Sequence, residues 1–193
     1  MLKLTGLRVL NLSQFLPGPM AAQMMADHGA EVIRIEPPAG ETVRNVGYRQ
    51  NGQSVWFRNT HRGKKSVVLN PRDAADKAAF LHLAATADVV IEAFRPGVAD
   101  RLGLGYAAVS VINPGIVYAS ISAFGQNGPL RDTPAHDLAI EALAGVVSPS
   151  LGQDGQPANP HMPVADITGA MAAMAALTGI LMALYRRTQT GLR

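Results

Sequence analysis

Asp166 stands directly before an uncharged stretch, Ile167 to Tyr185. An aspartate in that place has two chemistries. Its side chain can cap a helix by accepting from a backbone N–H of the first turn. The same geometry puts the carboxylate at the positive end of the helix, which favours its ionised form. An ionised, oriented carboxylate can attack a thioester carbonyl to give a mixed anhydride, and it leaves again when an acceptor attacks in turn. Thirty residues earlier, His136-Asp137 follows Pro134 and opens another helical pattern. The imidazole there could transfer a proton at neutral pH. In the plainer reading, Asp137 serves the first helical turn electrostatically and His136 is incidental. A third element is the loop Ser13 to Pro19, which leads from a strand into a helix N-terminus, where backbone N–H groups favour an anion. It carries neither Gly-x-Gly-x-x-Gly nor a P-loop, so it also reads as an ordinary strand-to-helix turn.

Composition removes other chemistries. The chain has no cysteine, which excludes a thiolate nucleophile, a thiolate metal site and a disulfide framework. Its five histidines, at positions 28, 61, 82, 136 and 161, form no His-x-x-x-His pair, so no metal site is expected. A net charge of +3 with scattered Lys and Arg and 5% aromatics is not the footprint of a nucleic-acid binder. A mild basic excess does suit a ligand that carries phosphates. The N-terminus Met1 to Gly6 lacks a signal-peptide pattern, and the lack of cysteine suits a reducing cytoplasm, where the protein is expected. Ile167 to Tyr185 is long enough to span a bilayer, but it is rich in Ala and Gly and reads as a buried helix instead.

The elements that must position these groups alternate. With 48% hydrophobic and 16% charged residues, the 193-residue chain can bury one substantial core. Strands are expected at 8–12, 31–36, 66–70, 88–92 and 116–122. Helices are expected at 20–28, 73–87, 97–102, 106–112, 136–147 and from 166 to about 187. Residues 40–65, polar and rich in Arg and Asn, read as a long irregular excursion, and 148–160 as a loop. The pattern predicts an α/β fold: a mostly parallel, Rossmann-like sheet with helices on both faces.

Several ordered stretches add a resemblance. They are Leu16-Pro17-Gly18-Pro19, Gly29 to Pro38, Arg62-Gly63-Lys64-Lys65-Ser66, Asp88 to Gly97, Arg101 to Tyr106, Ser120 to Pro129, and Pro163-Val164-Ala165-Asp166. In this order and spacing the chain resembles the class III coenzyme A-transferase superfamily. That group includes formyl-CoA transferase, carnitine CoA-transferase and α-methylacyl-CoA racemase. The resemblance implies that residues 1–193 form the N-terminal portion of a coenzyme A-binding large domain, with the small domain absent from this chain. It also implies an interlocked homodimer. Asp166 matches the catalytic aspartate, which makes it the expected nucleophile of an aspartyl-acyl anhydride. Acyl-CoA and a small carboxylic acid are the implied substrates, with no tightly bound cofactor. The implied coenzyme A contacts are Gln14, Phe15, Leu16 and Pro17, then Leu69, Asn70, Pro71 and Arg72, then Ala93, Phe94 and Arg95, and finally Arg101 and Ala135.

Departures accompany the resemblance. The formyl-CoA transferase pattern has His at the position of Gln14, Gln at that of Leu16 and Tyr at that of His136, so a formyl or oxalyl substrate is not expected. His136 matches the racemase branch, which implies an alternative: a 2-methylacyl-CoA racemase or epimerase using His136 and Asp166. Val164 to Thr168 matches the transferase branch better. The glycine-rich loop of the transferases and the acidic partner of the racemase site have no counterpart in this sequence, so a non-catalytic acyl-CoA-binding fragment is the third reading.

Overall fold

The structure is a computed structural model and describes residues 1–147, 151–156, 158 and 166–191. The expectations placed on His161, on the motif stretch at 163–165 and on parts of the loop at 148–160 lie outside the described residues.

The chain begins with β1 (Arg8–Asn11), α1 (Pro17–Asp27) and β2 (Glu31–Glu36). Pro17 takes the first helical position, where a missing N–H costs nothing and the fixed φ is already helical. The helix therefore starts three residues before the expected Met20. Gly29, at φ +99°, turns the chain back into β2. The excursion that follows is more ordered than its composition suggests. It holds a 3-10 turn (Thr42–Asn45), a short hairpin of β3 (Arg49–Gln50) and β4 (Gln53–Ser54), and α2 (Val55–His61). Ser54 caps α2 by accepting from the Phe57 N–H at 3.2 Å.

Then come β5 (Lys65–Val68), α3 (Ala74–Ala84), β6 (Val89–Glu92), α4 (Val98–Leu102), α5 (Tyr106–Ile112) and β7 (Val117–Ser120). The last helices are α6 (Asp137–Leu143) and α7 (Ile167–Thr190). α6 ends four residues before the expected Val147. Gly145 adopts φ +73°, and the Val146 N–H reaches back to the Glu141 carbonyl at 2.9 Å, closing a Schellman motif.

The five long strands are parallel, in the order β5-β2-β1-β6-β7, with β1 central: Val9 faces Val32 on one side and Val89 on the other. Each face of the sheet has its own core. On one face Val9, Val32, Val89 and Ile91 pack under Ala21, Ala22 and Met25 of α1 and Ala173, Ile180 and Leu184 of α7. On the other, Leu10, Ile35 and Val90 pack against Phe80 of α3 and Val109 of α5. Fully burying each such Val, Leu or Ile stabilises the fold by roughly 1.5–3 kcal/mol. α7 is covered on one side only. Met171, Met174, Met182 and Tyr185 are exposed on it, so the helix expected to be buried is half-covered among the described residues.

His61 is buried at the end of α2, stacked on Phe57 with ring centroids 4.5 Å apart, and its Nε2 has no partner among the described residues. Burial, joined by the charges of Lys64 and Arg34, pushes its pKa from 6.5 down to about 3. The imidazole is thus neutral in the fold, while the unfolded chain takes up a proton near pH 6.5. Between these values the unfolded state binds more protons, so stability falls as pH falls, by up to about 1.4 kcal/mol per pH unit. Replacing His61 by Leu should remove this slope. Urea melts at pH about 6.5 and about 5 measure it, and equal slopes in the variant and the parent protein would refute the assignment.

Candidate active site

Strand order reverses between β1 and β6, since α1 leads away to β2 on one side while β6 lies on the other. In a doubly wound sheet this is the switch point, and the strand ends there open into a crevice. The segment after β1 carries Gln14 and Phe15. The segment after β6 carries Ala93, Phe94 and Arg95, held by the Phe94 N–H donating to Oε2 of Glu92 at 2.7 Å. The segment ahead of α6 carries Ala135 and His136. These seven residues line one cavity of about 260 Å³, together with Pro96, Ser122, Ala123, Arg131, Thr133 and Pro134. Of this second set, Ser122, Ala123, Arg131 and Thr133 were not marked as site residues, since they flank a Gly- and Pro-rich turn that carries no motif for binding. The Phe15 and His136 rings meet edge to face at 5.9 Å.

Beside it lies a narrower, mostly apolar cavity of about 110 Å³. Leu69 and Pro71 line it with Leu12, Ile35, Phe80 and Leu104, and Gln14 and Phe94 are shared with the first cavity. Asn70 shapes this rim by donating its N–H to Asp76 at 2.8 Å and accepting from the Arg72 N–H at 3.2 Å. Leu16 precedes α1 and Pro17 begins it, and neither lines either of these two cavities. Arg72 and Arg101 are exposed and also stand outside the linings. Like Arg95, they form no ion pair among the described residues. Two larger hollows lie beside α2 and at the foot of α7; of these four hollows only the first is lined by His136, and Asp166 is in the lining of none.

α7 delivers Asp166 to this end of the sheet. Its C-terminal turn is anchored at the opposite edge, where Arg187 donates to Asp88 at 2.6 Å and to the Gly115 carbonyl at 3.0 Å. At its N-terminus Asp166 is the cap, and Oδ1 accepts from the Gly169 N–H at 2.6 Å. Gly169 is required there, because a Cβ would come within 2.8 Å of Asp166 Oδ2. Asp137 stands in the first turn of α6, where its charge suits the helix N-terminus, and it also reaches across to α7. Its Oδ1 accepts from both the N–H of Thr168 at 2.8 Å and the Thr168 hydroxyl at 2.7 Å, tying the start of α6 to the start of α7. His136, Asp137 and Asp166 are thereby brought together.

The two carboxylates diverge electrostatically. Burial raises the pKa of Asp166, and the adjacent Asp137 adds to the rise, against the Gly169 N–H, which lowers it. The sequence expectation that the helix end controls this group is therefore reversed in sign: burial wins. For Asp137, burial works upward too, but hydrogen bonds from Thr168, Asp166 and the Ile167 N–H together outweigh it and the pKa falls. The pair is a fixed anion beside a more basic carboxylate, and the more basic group is the stronger nucleophile once ionised.

The chain is similar to known proteins along nearly its whole length. The chain is 42% identical over 188 residues to an acetyl-CoA:oxalate CoA-transferase of Acetobacter aceti, covering 96% of this chain and 48% of that protein. It is 35% identical over 185 residues to a succinyl-CoA:glutarate CoA-transferase of Mus musculus, covering 95% of this chain and 42% of that one. A crystal structure of a probable fatty acyl-CoA transferase of Mycobacterium tuberculosis superposes with a TM-score of 0.88 at 36% identity, over 100% of this chain and 52% of that chain. A CAIB/BAIF family protein from Brucella suis superposes equally well, at 0.88 and 31% identity, over 99% and 51%. The chain spans about half the length of the relatives it matches. A model of one family covers residues 4–192, and with these relatives it settles the matter: the chain belongs to CoA-transferase family III.

Proposed function

We propose that the protein moves coenzyme A from an acyl-CoA donor to a small carboxylate acceptor, with Asp166 as the nucleophile. The observation that carries this reading is the capped Asp166 carboxylate beside the paired, anionic Asp137, at the end of the sheet where the switch-point cavity opens. The apolar cavity between Leu69, Pro71, Phe80 and Leu104 would take the adenine, and Arg95, Arg72 and Arg101 would answer the phosphates. The thioester would then lie near Phe15 and His136.

Atom balance dictates the steps. Asp166 attacks the thioester carbonyl, and the coenzyme thiolate leaves, giving a mixed anhydride. The thiolate attacks the aspartyl carbonyl and expels the donor acid, leaving an aspartyl thioester. The acceptor carboxylate attacks that thioester, and the thiolate finally takes the acceptor acyl group and frees Asp166. In this sequence one oxygen of Asp166 departs with the donor acid and is replaced by one from the acceptor. The relatives of Acetobacter aceti, Mus musculus and Mycobacterium tuberculosis carry the names of transferases, which favours transfer over racemisation through His136 and Asp166. Their printed acceptors, oxalate and glutarate, support a small acid as acceptor, and oxalate stands against the expectation drawn from Gln14, Leu16 and His136. A homodimer would cover the exposed side of α7.

A single turnover of the natural polypeptide with an acceptor labelled in its carboxylate oxygens tests the proposal. Peptide mass spectrometry should find one heavy oxygen in Asp166. Transfer without label in Asp166 would exclude the covalent route, and solvent exchange of the α-proton without transfer would establish the racemase.

A further inference from the structure

Phe15 stands at φ +61°, in the left-handed region that side chains other than glycine rarely enter. It follows Gln14, and both line the switch-point cavity. Phe15 is 37% exposed, and its N–H donates to Oε1 of Glu41 at 3.2 Å.

Glu41 belongs to the excursion after β2 and is 1% exposed. Its Oε2 takes the guanidinium of Arg34, which is also 1% exposed. Arg34 in turn donates from Nη1 to the carbonyl of Asn11, the last residue of β1, at 3.1 Å. The Glu41 N–H donates to Glu36 at 2.9 Å, and Glu36 is itself gripped by Arg44 and Ser66. One buried ion pair thus links the end of β1 to the turn that follows it. Neither Arg34 nor Glu41 lines either cavity. A buried ion pair is seldom more stable than apolar residues of the same shape. Here Arg34 Nε also lacks a partner among the described residues. Stability alone does not explain the pair.

We propose that Arg34 and Glu41 are positioning residues: they hold Phe15 in its left-handed turn and, through the contact of Phe15 with His136, fix the cavity that receives the acyl-CoA thioester. This rests on the reading of that cavity as the acyl-CoA site. From this turn the ring of Phe15 reaches His136 at 5.9 Å, and His136 begins the segment that carries Asp137 to Thr168.

The test removes both charges at once, as Arg34→Met with Glu41→Leu, so that no lone buried charge unfolds the protein. It is read in the natural polypeptide by hydrogen exchange at the Phe15 amide and by KM and kcat for an acyl-CoA donor. The melting temperature should stay close to the parent value. Exchange at Phe15 should accelerate about tenfold and KM should rise about tenfold, with kcat changed far less. In a Phe15→Asn background, which lacks the ring through which the pair acts on His136, the same pair of changes should raise KM less than about twofold. Unchanged exchange at Phe15 would refute the clamp while leaving the functional reading intact. Faster exchange with unchanged KM would show a clamp that does not serve the reaction and would overturn the proposal. A parent protein that neither binds nor transfers coenzyme A would instead end the functional reading and this role with it. In that case the Phe15 amide would still report whether the pair holds the turn.

Discussion

Asp166→Asn should fold as the parent protein does and lose turnover by on the order of a thousandfold or more. The two halves of that result come from different atoms of one side chain. The carboxamide oxygen can accept from the Gly169 N–H as Oδ1 does now, and Asn caps a helix about as well as Asp. The amide nitrogen can also donate toward Asp137, where the carboxylate of Asp166 meets a like charge. The melting temperature should therefore hold or rise. What the variant lacks is an oxygen nucleophile able to form and leave an anhydride. Thermal melts and steady-state transfer assays on the same preparation separate the roles. More than about a tenth of the activity remaining would reduce Asp166 to a cap. A large drop in melting temperature would mean that the charge itself is structural.

A large loss of stability from a single added carbon is expected at Gly18. This residue is buried in the first turn of α1, where the helix meets the end of β1. A Cβ there would overlap Oγ and Cβ of Ser13 and lie 3.3 Å from Cγ2 of Ile91. Ser13 cannot give way easily, because it is fully buried and both its N–H and its hydroxyl donate to Oδ1 of Asn11. Gly18→Ala should therefore destabilise the protein by about 1–3 kcal/mol through overpacking, although alanine is the better helix former. Ser13→Gly removes the clashing atoms. In that background the alanine should cost less by about 1 kcal/mol or more, which a double-mutant cycle of urea melts measures. Additive effects would show that Gly18 is required for some reason other than the approach of Ser13.

Much of the fold was legible because its signals are local. The runs at Val9–Leu10, Val32–Ile33 and Val89–Ile91, punctuated by Pro17 and Gly29, specify a βαβ frame without reference to distant residues. α2 was missed because its seven residues are too few for a period, and its Ser54 cap lacks a Glu or Gln three residues on to complete a capping box. Arg34 and Glu36 were legible as strand residues but not as buried ones. Alternation puts Arg34 and Glu36 on one face of β2 with Val32, and they are 1% and 2% exposed. Their partners Glu41 and Arg44 lie beyond the strand, so the burial is decided by pairings that no strand periodicity contains. The site divides the same way. Gln14, Phe15, Phe94, Arg95 and His136 follow from strand ends and from the resemblance, and they meet in one cavity. The link from Asp137 to Thr168 spans thirty-one residues and depends on how two helices approach, which spacing alone does not state.

Order of synthesis gives the packing of α7 on α1 a further consequence. The face of the sheet that carries α3 and α5 draws its buried residues from Leu10 to Ile116, so it is complete before α6 is made. The opposite face needs Ala173, Ile180 and Leu184. Until those residues leave the ribosome, Val9, Val32, Val89 and Ile91 have only α1 above them. The first helix of the chain thus waits for the last, a long-range closure of the kind that slows folding. During that interval the nascent chain presents a half-roofed apolar sheet, the surface that chaperones hold and that neighbouring chains aggregate through.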